Sequence, residues 1–272
     1  MATKAAFAMV PSRTWTSATA LLAAVRLWFA VAVIGQWTFL YYIAGFYGPS
    51  TLEGNFRAWM RNKNLFKGYV PGDTVGNIAF AAHVFLAAVI AFGGALQLIP
   101  QLRSRAVAVH RWNGRLFMVT ALGMRVTGLY MVWVRGARYD LLNGLAVSLN
   151  GVLIIVFSTL AWRAALAREI LSHRRWAMRT YLVANGQWFI RVGVFAWVVI
   201  NQGQRGLDSF FTVWSFGCYL FPLAVLELYL RARDVGSPRV RVAMASGLCA
   251  LTALMGVGIF GVFMFIWRPL LQ

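Results

Sequence analysis

Seven apolar runs, each more than twenty residues long, divide this chain and constrain its fold more than any other feature. A helix rises about 1.5 Å per residue and a bilayer hydrocarbon core is about 30 Å thick, so roughly twenty apolar residues make one crossing. The runs are Leu21–Phe46, Asn77–Ile99 (closed by Pro100), Trp112–Val134, Leu141–Ala165, Ala177–Ile200, Ser209–Leu230 and Val242–Trp267 (closed by Pro269). A crossing segment must satisfy its own backbone hydrogen bonds, which selects helices here. The expected fold is all-α: an integral membrane bundle of seven transmembrane helices, one domain over residues 1–272, with the second to fifth helices as its core. Hydrophobic residues make up 60% of the chain and charged ones 12%. Soluble domains run near 45–50% and 25%, so a soluble enzyme is excluded. The first run is longer than a signal-peptide core and no small-x-small site follows it, so it is expected to be retained.

The formal net charge is +19, from 26 basic against 7 acidic residues. In a soluble chain that balance would suggest nucleic acid. Here the basic residues punctuate apolar spans, and no zinc-finger spacing or RNP-like pattern accompanies them, so nucleic acid is not an expected partner. Anionic lipid headgroups are. One side of the bundle collects Lys4, Arg13, Arg26, Arg103, Arg105, Arg111, Arg115, Arg163, Arg168, Arg174, Arg175, Arg179, Arg231, Arg233, Arg239 and Arg241. The other collects Arg57, Arg61, Lys63, Lys67, Arg135, Arg138, Arg205 and Arg268. The richer side is read as cytoplasmic, which puts the N-terminus inside and the C-terminus outside a bacterial cytoplasmic membrane. The long outer loop, residues 47–76, mixes Phe56, Trp59, Leu65 and Phe66 with basic residues. It suits a short amphipathic helix that lies on the surface or lids a cavity, or else a plain connector. Cys218 and Cys249 fall inside apolar runs and are read as packing residues.

Two basic residues, Arg125 and Arg191, belong to neither side. Ionisable groups at depth are costly and mark functional sites by default. Counting about 1.5 Å per residue puts Arg125, Arg191, His83 and Gln36 roughly 20–24 Å from the cytoplasmic face. Gln187 is the i,i+4 neighbour of Arg191. No Asp or Glu shares that level; Glu227 lies near the end of its helix, where Arg231 one turn on offers a partner. Two desolvated guanidinium groups without an acid call for an anion, several carbonyls or a water-filled cavity. The expectation is an outer-leaflet ligand site of His83, Arg125, Arg191, Gln36 and Gln187. The bland alternative is that each arginine snorkels or bonds helix carbonyls.

His110 and His173 sit at one shallow level at the heads of two helices. They could straddle a haem iron as axial ligands, with Arg111, Arg115 and Arg179 near its propionates. The alternative is a pair of interfacial histidines facing headgroups. No catalytic residues are assigned, since neither a phosphate-cradling loop nor a nucleophile elbow occurs.

His83, then Gln97 and Pro100 before a basic stretch, then His110-Arg111-x-x-Gly114-Arg115, then His173-Arg174-Arg175-Trp176-x-Met178-Arg179 and Arg191, resembles the bacterial membrane family numbered 2306 among domains of unknown function. The resemblance covers roughly residues 78–200 and implies no assigned activity. A second likeness is local: His110-Arg111-x-x-Gly114-Arg115 is similar to the haem-ligand motif of haem A synthases, which implies histidine-ligated haem. The acidic residue of that motif is missing, since Val107, Ala108 and Val109 precede His110, and the chain has 3 histidines in all. Three readings follow. The first is a membrane redox protein with haem b or a quinone within helices two to five. The second is a transporter or binding protein for an anionic small molecule or lipid, using Arg125 and Arg191. The third is an accessory subunit of a larger respiratory membrane complex.

Overall fold

A computed structural model describes residues 16–63 and 67–272. Lys4, Arg13, Leu65 and Phe66 lie outside the described residues. Most of the described residues are helical, and no strand occurs among them. Helix α1 is Ser17–Leu52, α2 Thr74–Leu98, α3 Pro100–Arg105, α4 Val107–Leu129 and α5 Leu141–Leu166. They are followed by α6 Ile170–Ala184, α7 Gly186–Ile200, α8 Leu207–Val235, α9 Pro238–Val262 and α10 Arg268–Leu271. Wider π-helical turns extend α4 through Tyr130–Val134 and join α9 to α10 through Phe263–Trp267. Six helices are long and apolar enough to cross a membrane, and α6 with α7 makes a seventh if the bent pair is one span.

Several boundaries depart from the sequence reading. Helix α1 runs on past Pro49 to Leu52, so its last turn takes residues assigned to the outer loop. Pro269 does not close the last helix but occupies the first turn of α10, where a missing N–H costs nothing. The largest departure is at residues 177–200, expected as one straight helix. There α6 starts earlier, at Ile170, and the chain bends by 55° between Ala184 and Gly186.

The bend has a local cause that is not proline. Asn185 turns its side-chain Nδ2 back onto the Tyr181 carbonyl at 2.8 Å, competing with the backbone ladder as short amides do. Gly186 follows, a poor helix former. It also has no side chain to hold the Asn150 amide away: a Cβ there would lie 3.2 Å from Asn150 Nδ2. Asn150, on α5, donates to the Val183 carbonyl at 3.0 Å and so satisfies one of the acceptors the break releases.

Helix pairing follows the small residues. Helix α2 lies along α4 and α5 along α6, while α9 is gripped by α1 and α7. The α2–α4 pair is pinned by Asn113 Nδ2 on the Gly93 carbonyl at 2.8 Å and Gln97 Nε2 on the His110 carbonyl at 3.0 Å. Between α7 and α9 the backbones almost touch. A Cβ on Gly258 would collide with the Val192 carbonyl, and one on Gly261 would lie 3.1 Å from the Phe195 carbonyl. Only small residues permit that approach in lipid. Outward-facing Leu27, Ile34, Val119, Val126, Ile155 and Val213 present hydrocarbon to the surroundings, while Gln36, Asn150 and Arg125 are buried. Between α1, α7, α8 and α9 runs an apolar cleft of about 1160 Å³, lined by Trp28, Phe189, Trp197, Trp214 and Phe221 among others.

The close α7–α9 approach predicts that Gly258→Leu lowers stability by about 1–3 kcal/mol, the usual cost of overpacking. A Cβ at Gly256 meets nothing within 4 Å, so Gly256→Leu is the control that should leave the melting temperature in detergent within a degree or so. Equal effects at the two positions would show that the interface is not close-packed.

Candidate functional site

The face of the bundle that carries residues 53–63 and 67–73 is the loop face, and the opposite end is the arginine face. In the half of the bundle nearer the loop face lies a cavity of about 320 Å³. His83 of α2, Arg125 of α4, and Gln187 and Arg191 of α7 all line it. Gln36 of α1 stands behind it: its Nε2 donates to Tyr181 Oη at 2.8 Å and to Asn185 Oδ1 at 3.1 Å, and Asn185 lines the cavity. Thus three of the four residues placed at one depth by counting, His83, Arg125 and Arg191, border a single space together with Gln187, and the fourth, Gln36, reaches it through the helix break.

Arg125 is 4% exposed. Its Nη1 donates to Asn150 Oδ1 at 2.9 Å, and its Nε is buried with no hydrogen-bond partner. Arg191 is better served. Its Nη1 donates to the Gln187 carbonyl at 2.5 Å, and its guanidinium carbon sits 5.5 Å from the centre of the Phe39 ring. His83 Nδ1 is 3.1 Å from Thr127 Oγ1. That hydroxyl is also 3.1 Å from the Gly123 carbonyl and 3.2 Å from the Met124 carbonyl. A hydroxyl has one proton to give, so when it donates to its own helix it accepts from His83 Nδ1–H. The His83 ring then keeps Nε2 as its second polar atom. Gly128 makes room for the ring: a Cβ there would lie 3.4 Å from His83 Cε1.

A polar roof closes the loop-face end. Asn62 Nδ2 donates to Tyr42 Oη at 2.8 Å and Tyr47 Oη at 3.0 Å. Trp59, in the short 3-10 helix Phe56–Arg61, is buried and donates through Nε1 to Ser50 Oγ at 2.8 Å. Lys67 Nζ donates to the Arg135 carbonyl at 2.7 Å, and Arg135 Nε donates to Asp73 Oδ2 at 2.6 Å. The remaining walls are hydrocarbon and aromatic: Phe80, Val84 and Ile90 of α2, Trp188 of α7, then Ile266 and Trp267. Lys67, Arg125 and Arg191 are the lysine and arginines among the described lining residues, and no Asp or Glu lines the cavity with them.

The shallow residues at the arginine face are arranged otherwise. His173 Nδ1 lies 2.9 Å from the Ala161 carbonyl, and His110 Nδ1 is buried without a partner. Neither histidine lines the cavity or the cleft. Arg111 and Arg115 are exposed, with Arg115 stacked 4.8 Å from the Trp112 ring. Arg179 grips Glu227 through two hydrogen bonds of 2.8 and 2.9 Å. Glu227 is therefore the partner of α6, across the bundle, and not of Arg231 on its own helix. Of the residues that would hold haem propionates beside these histidines, Arg111 and Arg115 are exposed and Arg179 is already paired.

Asn150 and Asn185 carry the site as much as the arginines do, yet neither is ionisable. The signal available in the sequence was an amide in an otherwise apolar run. Trp188, whose Nε1 is buried without a partner, gave no such signal.

A multi-pass helical membrane protein with an acid-free cationic cavity beside a broken helix is the class these features define. Within that class, the chain belongs to the family described as predicted membrane protein (DUF2306), which it matches over residues 80–230, more than half its length. The match reaches beyond Ile200 into α8. No curated protein and no solved structure matches the chain.

The roof makes a pH dependence testable. Hydrogen bonding to Arg135, and next to the Gly76 N–H, holds the Asp73 carboxyl below its usual value of 3.8. The depressed value means that this contribution is complete above the ordinary aspartate pKa and is lost as pH falls below it. Protease cleavage or hydrogen exchange in residues 53–73 should therefore rise only in acid, below about pH 4. Asp73→Asn should show the raised rate already at neutral pH. A flat wild-type profile would mean that the ion pair does not hold the roof.

Proposed function

We propose that the protein holds an anionic small molecule in the cavity near the loop face, as a binding protein or transporter of the bacterial cytoplasmic membrane. The single observation that carries this reading is the unpartnered, buried Nε of Arg125 in a cavity without a carboxylate. A desolvated guanidinium whose donors are unmet is expensive, and an anion is what would offset it. The break at Asn185 supports the same reading. Discontinuous helices place half-helix N-termini at anionic ligands in many transporters. Here α7 begins at Gly186 with no side-chain cap, and Gln187 in its first turn lines the cavity. The distribution of basic residues supports an orientation with the arginine face cytoplasmic and the loop face outside.

A quinone is the second reading for this cavity, favoured by its aromatic walls and by donors suited to a carbonyl oxygen. The haem reading rests on His110 and His173 alone and has less behind it, for the reasons of arrangement given above.

The test is thermal unfolding of the purified chain in mild detergent, at constant ionic strength, with benzoate, succinate and inorganic phosphate. A ligand present at about a hundred times its dissociation constant stabilises by about 2.7 kcal/mol. At least one of the three anions should raise the melting temperature of the wild type, and Arg125→Gln should abolish the shift. If none does, while a soluble quinone analogue does, the quinone reading takes its place. A Soret band that sharpens with dithionite would return the weight to His110 and His173.

A further inference from the structure

The deeper question is which anion, and the cavity is unevenly built in a way that answers it. This step rests on the anion reading above. Of the two guanidinium groups that line the cavity, Arg191 is already served by the Gln187 carbonyl and by the face of Phe39. Arg125 is not. Its single hydrogen bond uses Nη1, and its Nε–Nη2 edge makes none among the described residues. That edge presents two parallel N–H bonds, the fork that a carboxylate accepts with its two oxygens. One unpartnered fork calls for one carboxylate.

The other two cations of the described lining are already engaged, Arg191 by the Gln187 carbonyl and Lys67 by the Arg135 carbonyl, and the walls between are apolar. Phe80, Val84, Ile90, Ile266 and Trp267 offer no hydrogen bond except the Trp267 ring N–H. A phosphate dianion would turn most of its oxygens toward hydrocarbon, and the loss of hydration there is not repaid. An apolar body on the same walls gains from burial instead, at about 25 cal/mol per Å². The cavity, about 320 Å³, falls at the small end of ligand pockets, which run from about 300 to 1,000 Å³. That size admits a small molecule and not a lipid. Trp188 lines the same space with a ring N–H that is buried and unpartnered, a second donor for an acceptor ligand.

We propose that the cavity selects a small monocarboxylate with a flat or branched apolar body, its carboxylate on the Nε–Nη2 edge of Arg125 and its body against the α2 and Trp267 walls. The experiment is isothermal titration of the full chain in detergent with benzoate, succinate and inorganic phosphate, each at the same ionic strength. Benzoate should bind at least tenfold more tightly than either of the others. Arg125→Lys, which keeps the charge and loses the fork, should weaken benzoate at least tenfold while leaving the weak phosphate affinity within about threefold. Succinate or phosphate binding more tightly than benzoate overturns this inference and leaves the anion reading standing. No heat with any of the three overturns both. Should the variant fail to fold, the wild-type ranking decides alone. Benzoate preferred by the wild type but indifferent to a folded Arg125→Lys overturns the placement of its carboxylate.

Discussion

The side chain of Asn150 makes two hydrogen bonds, and the cavity depends on both. Its Oδ1 accepts from Arg125 and its Nδ2 donates to the Val183 carbonyl, so one amide ties the buried charge of α4 to the frayed end of α6. An amide suits this post because it can accept and donate at once; an aspartate could only accept, and would cancel the charge it positions. Removing one partner of a buried hydrogen bond leaves the other unmet, at about 1–3 kcal/mol. Here two groups would be stranded together. The released end of α6 and the direction of Arg125 thus share one support, a residue that itself lies behind the cavity lining.

Much of this architecture is legible in the sequence because lipid simplifies the problem. Apolar length translates directly into crossings, and the exceptions to apolarity stand out against it. Counting along helices puts His83, Arg125, Arg191 and Gln36 at one depth, since the rise per residue is fixed. Rotation and breaks are another matter. Gln36 shares the depth but faces Tyr181 and Asn185. The bend at Asn185 escapes a reading that looks for proline, because its cause is distributed: an amide folding onto Tyr181, a glycine that admits Asn150, and a donor supplied by another helix. No window on the local sequence contains all three. The same holds for Glu227, whose neighbour on its own helix is Arg231 but whose partner is Arg179, reached only once α8 packs on α6.

The loop face shows how a short segment becomes a structural element. Residues 56–61 are too few for an independent helix in water. Their turn is fixed because Trp59 is buried and bonded to Ser50, and because the chain that follows is tied down by Asn62 and Lys67. The polar atoms of this roof pair largely with one another, whereas the cavity below it keeps Arg125 Nε and Trp188 Nε1 buried without partners. That contrast separates groups that hold the fold from groups that do not.

Helix α7 has a different geometric consequence. One of its sides, with Gln187 and Arg191, bounds the polar cavity; the other, with Phe189 and Trp197, bounds the apolar cleft. A partition shared by two chambers makes their volumes reciprocal: a tilt that widens one narrows the other. Set off from α6 by the bend at Asn185 and packed on α9 through glycines, this half-helix is a bulkhead between the two, and the width of the cleft and the shape of the chamber are set by the same wall.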